Sequence, residues 1–219
     1  MIDKLHYISQ PALDGSHLTS IKNALVAGCK WIQLRIKDES ETAILAAAIE
    51  AVELCKVYNA KLIINDHPEI ALKAEADGVH LGLDDMPVSE ARAIVGDNFI
   101  IGGTANTVDH VKQRVAEGVN YIGLGPYRFT TTKKKLSPIL GLSGYEFIIQ
   151  QCGAMQIQIP IIAIGGIEAD DVPLIKQAGI YGVAMSGTIT HAQDRPATVG
   201  QIYKMLNADR IIPVNPLNI

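Results

Sequence analysis

LIINDHPEIALKAEADGVHLG, residues 62–82, decides the fold. Leu62 to Asp66 is a short apolar run closed by polar turn formers, the pattern of a buried strand ending at a surface. Pro68 to Ala74 reads as a helix, and Gly78 to Gly82 as a second strand. A strand, a helix and a strand in that order imply two parallel strands joined by a crossover.

The same alternation extends in both directions. Further strands are expected at Leu5–Ser9, Trp31–Lys37, Phe99–Thr104, Tyr121–Gly125, Ile161–Gly165 and Gly182–Ser186. Helices are expected at His17–Ala27, Glu41–Tyr58, Val88–Val95, Val108–Glu117, Tyr145–Gln151, Asp170–Ala178 and Pro196–Leu206. Ser40 stands where an N-cap belongs, and Gly28, Gly118 and Gly179 stand where helices must turn back into strands. Eight such units imply a single closed (β/α)8 TIM barrel, here over residues 1–210 with a C-terminal tail at 211–219. The competing architecture is an open doubly wound sheet. No GxGxxG follows the first strand and no GxxxxGK[ST] occurs, so the phosphate fingerprints of that fold are missing.

Composition narrows the function. The 219 residues are 48% hydrophobic, and 19 Lys plus Arg against 23 Asp plus Glu leave a net charge of -4. A nucleic-acid partner is disfavoured by that sign. Cys29, Cys55 and Cys152 are odd in number and widely spaced, which suits neither a CxxC metal pair nor a disulfide framework and points to the cytoplasm. The start MIDKLHYISQ has no signal-peptide pattern, and no apolar run is long enough for a membrane span.

In such a barrel the chemistry lies at the carboxyl ends of the strands. In WIQLRIK, period two puts Gln33, Arg35 and Lys37 on one face and Ile32, Leu34 and Ile36 on the other. Two cations stacked toward the catalytic end suit an anion; the plainer reading is that Arg35 pairs with a core acid and Lys37 sits at the rim. Asp66 and Asp85 leave neighbouring strands, which lie roughly 4.8 Å apart, so they could meet on one Mg²⁺ ion. Either could instead be a helix cap or a turn former. His80 reads as a packed, hydrogen-bonded core histidine.

Two further features concern phosphate. YIGLGPYRFTTTKKK, residues 121–135, ends a strand and continues into hydroxyls and positive charge, which suit a phosphate or form a solvated lysine loop. The turns IGGI at 164–167 and MSG at 185–187 follow strands seven and eight, where backbone N–H groups of this fold commonly cradle phosphate.

Taken together, QLRIK, IIND, ADGVHLGLDD, YIGLGP with TTTK, AIGGI and GVAMSG resemble the thiamine phosphate synthase and thiazole tautomerase family over nearly the whole chain. The resemblance implies a Mg²⁺-dependent transferase that joins 4-amino-2-methyl-5-hydroxymethylpyrimidine diphosphate to 4-methyl-5-hydroxyethylthiazole phosphate. By position, Gln33, Arg35, Lys37 and Asn65 would contact the pyrimidine diphosphate, and Asp66 and Asp85 would hold Mg²⁺. Thr104 falls where the family has a serine near the pyrimidine. Thr130 and Thr132 would face the thiazole phosphate and Lys133 the diphosphate, while Gly166, Ser186 and Gly187 would supply contacts to the thiazole's phosphate. Arg35, Lys37 and Lys133 carry the expected catalytic charge.

The chain departs from the family pattern at Leu83, at Thr104 and at Tyr127-Arg128-Phe129, where Arg128 either adds a phosphate contact or only reaches solvent. Two alternatives stay open, a thiazole tautomerase and a non-catalytic phosphate-binding regulatory barrel. The expected partners are small-molecule substrates, without nucleic acid or membrane. The apolar tail IIPVNPLNI packs on its own barrel or on a neighbour in a homo-oligomer.

Overall fold

Short β-branched runs recurring between helices build eight strands, each buried on both sides. They are β1 (Leu5–Ile8), β2 (Trp31–Leu34), β3 (Lys61–Asn65), β4 (Gly78–Leu81), β5 (Ile100–Ala105), β6 (Tyr121–Leu124), β7 (Ile161–Ile164) and β8 (Gly182–Met185). In a computed structural model, which describes residues 1–129 and 138–209, all eight pair in parallel and in chain order. The barrel closes where β1 meets β8, with Leu5 opposite Val183 and Tyr7 opposite Met185. Thr130, Thr132, Lys133 and the tail at 211–219 lie outside the described residues.

The helices are α1 (His17–Val26), α2 (Glu41–Val57), α3 (Pro68–Lys73), α4 (Val88–Val95), α5 (Val108–Ala116), α6 (Gly141–Ala154), α7 (Val172–Gln177), α8 (Gly187–Thr190) and α9 (Arg195–Asn207). Their ends follow the punctuation in the sequence. Ser40 caps α2 by accepting from the Ala43 N–H at 3.2 Å, a contact worth about 1 kcal/mol. Gly28, Gly118 and Gly179 all take positive φ where α1, α5 and α7 turn back toward the sheet.

Three of the expected elements depart from expectation by more than a single residue at an end. β2 stops at Leu34 instead of Lys37, because its partner β1 has ended and the Arg35 N–H donates to the Ser9 side chain at 3.0 Å instead of to a strand. α6 begins at Gly141, four residues before Tyr145, and runs on to Ala154. The seventh unit opens with a 3-10 turn, Ala169–Asp171, before α7.

Alternation along the strands divides the core. Leu5, Tyr7, Ile32, Leu34, Leu62 and Ile64 face the helices. Ile8, Trp31, Ile63, Tyr121, Ile162 and Ala184 fill the barrel interior. Gln33 is on the interior face with Trp31, as period two requires. His6, Trp31 and Tyr121 meet there edge to face, with ring centroids 5.8 to 5.9 Å apart.

Candidate active site

The carboxyl ends of β2 to β5 form one side of the barrel mouth. Gln33 and Asn65 are buried at the ends of adjacent strands, and the Gln33 amide donates to the Asn65 side-chain oxygen at 2.6 Å. Fixing one amide against the other leaves each with a defined remaining face for a ligand. Thr104, also buried, lies 3.1 Å from His80 Nε2, and His80 Nδ1 lies 3.1 Å from the Tyr121 hydroxyl. His80 is therefore the packed core histidine its position in a strand implied.

Arg35 is half-buried and Lys37 exposed, just beyond the end of β2. Both reach the field of Asp66. Burial lowers the affinity of the Arg35 guanidinium for its proton, and Asp66 opposes that shift.

Asp66 is not a helix cap. The N-cap of α3 is His67, and Asp66 takes φ 67°, a left-handed conformation uncommon outside glycine. Burial, then a hydrogen bond to Asp85 and repulsion by it, push the Asp66 carboxyl up to about 7; Lys37 and Arg35 pull the other way. The structure thus brings Arg35, Lys37, Asp66 and Asp85 together from three loops. One Asp85 oxygen also accepts from the Gly82 N–H at 2.6 Å, so this residue shapes its turn as well.

Two abutting carboxylates, of which Asp66 is held back from ionising by burial and by Asp85, fit a hard divalent cation. Among the described residues no group of three His, Cys, Asp or Glu side chains gathers for a metal. Carboxylate pairs are the donor type that hard cations such as Mg²⁺ take, with waters and substrate phosphate oxygens completing the shell.

The other side of the mouth belongs to β6, β7, β8 and β1. Gly165 and Gly166 both take positive φ, 97° and 67°, and turn the chain sharply after β7. Ser186 precedes α8, whose Thr188 hydroxyl donates to Ile167 O at 2.8 Å and joins the two turns. Short helix α8 was not foreseen, since one turn carries no periodicity. It stands where barrels of this kind commonly present N–H groups to phosphate.

Several contributors escaped sequence reasoning, and Arg128, which the sequence did single out, has partners it did not foresee. Gln10 accepts from the Ser186 hydroxyl at 3.2 Å, and its amide nitrogen lies 2.7 Å from His191 Nε2. Ser9 lies 2.8 Å from His17 Nδ1 while holding the Arg35 backbone. Arg114, buried in α5, donates to Thr104 O at 3.1 Å and to Gly82 O at 2.7 Å, tying the ends of β4 and β5 together. Arg128 forms a fork with Asp171 at 2.7 and 2.8 Å and also donates to Gly166 O at 2.9 Å. Ser9, Gln10 and Arg128 share a location just past strand ends, whereas Arg114 lies within α5 and has no such signal.

A family model described as thiamine monophosphate synthase matches residues 5–189. A thiamine-phosphate synthase of Bacteroides fragilis is 52% identical over 190 residues, covering 87% of this chain and 93% of its own. That of Flavobacterium psychrophilum is 50% identical over 206 residues, covering 94% and 100%. The solved thiamine phosphate pyrophosphorylase of Pyrococcus furiosus superposes with a TM-score of 0.81 at 28% identity, over 93% of this chain and 95% of that one. By sequence over most of its length, and by fold, the chain belongs to the thiamine monophosphate synthase family.

Proposed function

We propose that the chain condenses 4-amino-2-methyl-5-hydroxymethylpyrimidine diphosphate with 4-methyl-5-hydroxyethylthiazole phosphate, releasing diphosphate and thiamine phosphate. The observation that carries this reading is the convergence of Arg35 and Lys37 on the Asp66–Asp85 pair beside the Gln33–Asn65 amides. That half of the mouth has the chemistry of a diphosphate site. A thiazole isomerase would have no use for it.

Gln33, Asn65 and Thr104 hold the pyrimidine, with two buried amides and a hydroxyl to match its ring nitrogens and amino group. Arg35 and Lys37 take the diphosphate oxygens. Asp66 and Asp85 would hold Mg²⁺, and a bound Mg²⁺ would supply neutralisation of the charge that develops on diphosphate. Thr130, Thr132 and Lys133 enter on the sequence pattern alone, the threonines toward the thiazole phosphate and Lys133 toward the diphosphate. Gly166, Ser186 and Gly187 receive the thiazole's phosphate.

In the reaction the bond between the pyrimidine's methylene carbon and the diphosphate oxygen breaks, and its electron pair leaves with the diphosphate. The thiazole nitrogen then donates its lone pair to that carbon. No proton has to be removed, so no general base is required. The protein contributes preorganised positive charge and alignment of the two substrates. The reaction takes place in the cytoplasm. Cys29, Cys55 and Cys152 are free and buried, which suits a reducing compartment.

The test is formation of thiamine phosphate from both substrates with Mg²⁺. Wild-type protein gives product, and Asp66→Ala and Asp85→Ala each lose the Mg²⁺-dependent rate. Product formation with unchanged metal dependence in both variants would move the metal site elsewhere. Absence of product with wild-type protein would sink the reaction itself.

A further inference from the structure

Arg128 extends from the segment after β6 across the turn after β7. Its own backbone is already docked there: the Tyr127 N–H donates to Ile164 O at 2.9 Å and the Arg128 N–H to Gly165 O at 3.1 Å. The guanidinium then closes over the turn, donating to Gly166 O at 2.9 Å and forking onto both oxygens of Asp171 at 2.7 and 2.8 Å. It also lies 5.1 Å from the centroid of the Tyr127 ring, over its face, and Tyr127 stacks on buried Tyr145 at 5.5 Å. A Cβ at Gly166 would overlap the Arg128 side chain, so the turn and the arginine fit only as a pair.

Asp171 is equally committed. The same carboxylate accepts from the Glu168 N–H at 2.8 Å, which fixes the chain leaving the turn. Its side chain is 13% exposed against 40% for Arg128, so the carboxylate is the enclosed partner and the arginine the bridge. A planar guanidinium suits this geometry because one group can serve a carbonyl and a carboxylate together, and an ammonium cannot form the fork.

We propose that Arg128 and Asp171 act together as positioning residues that hold the Gly165–Gly166 turn in shape for the thiazole substrate's phosphate. The proposal rests on the reading that Gly166 contacts that phosphate. Arg128 thereby has a third role besides those of phosphate ligand and solvated charge: its positive charge is spent on Asp171, and its effect reaches the substrate through the backbone of Gly166.

The test is steady-state kinetics of the full chain with each substrate varied in turn. Arg128→Ala and Asp171→Ala should each raise KM for thiazole phosphate about tenfold, a usual size for one network contact, with KM for the pyrimidine diphosphate unchanged. The double variant should be no worse than either single one, because both remove the same clamp. Arg128→Lys should recover only part of the loss, and Asp171→Asn, which keeps an acceptor for the Glu168 N–H, should behave like Asp171→Ala. A lower KM for thiazole phosphate in Asp171→Ala, with a higher one in Arg128→Ala, would make Arg128 a direct phosphate ligand and overturn the proposal. A loss of thermal stability with both KM values unchanged would reduce the pair to a structural tie. If wild-type protein makes no thiamine phosphate, the reaction reading fails by itself. Calorimetric binding of thiazole phosphate to the same variants then decides the clamp, and no binding to wild type overturns it too.

Discussion

Asp66 is ionisable under conditions its surroundings oppose. The unfolded chain ionises this carboxyl near its ordinary 3.8, whereas in the folded protein it is pushed up to about 7. Between those values the folded state holds a proton that the unfolded state has lost, so stability falls as pH rises from about 4 to 7 and levels off above. With metal chelated, Asp66→Asn should therefore gain on wild type across this window, and the difference in melting temperature should grow with pH. A constant difference would mean that Asp66 ionises as an ordinary surface acid does. The sequence presents Asp66 and Asp85 as strand-end carboxylates, but only the positive φ of Asp66 and the cap at His67 separate a site residue from a helix cap. Arg128 was less legible still, since its partner lies 43 residues away and pairing at that range has no local signature.

Element boundaries depend on neighbours more than on the element's own residues. WIQLRIK alternates through Lys37, yet β2 ends at Leu34 because β1 offers it a serine hydroxyl in place of a further strand residue. The alternation still assigned Gln33 to the interior correctly. The interior itself is filled by pairing large residues with none: Tyr121 on β6 occupies the space over Gly102 on β5, and a Cβ at Gly102 would overlap its ring. Gly102→Ala should cost about 1–3 kcal/mol, as overpacking typically does, at about 2–4 °C per kcal/mol for a chain of this size. Gly153, exposed in α6 with nothing near its missing Cβ, supplies the contrast. Gly153→Ala should raise the melting temperature slightly, because alanine is the better helix former by up to about 1 kcal/mol. Thermal melts of both variants check the pair, and equal shifts would remove the interior-packing argument.

Closure of the whole barrel can be read through His6. It lies on β1, the strand that pairs with both β2 and β8, and its ring is enclosed by Trp31 and Tyr121. Among the described residues its Nε2 has no hydrogen-bond partner. Burial first, and then the nearby His80, hold its pKa well below the ordinary 6.5. As pH falls below 6.5 the unfolded chain takes up a proton at this position that the folded barrel refuses, so stability is lost progressively toward the folded pKa. No local loop can open to admit that proton, since His6 is held between the strands that close the barrel. The eight β/α units were countable in the sequence, but nothing local marked His6 as the group at the seam, because its neighbours come from β2 and β6. His6→Phe, which keeps a ring and removes the titration, should lose less unfolding free energy than wild type between pH 6.5 and 5. Chemical denaturation at several pH values measures both slopes independently of any offset from repacking. Equal slopes would show that His6 is protonated as readily in the barrel as in the unfolded chain.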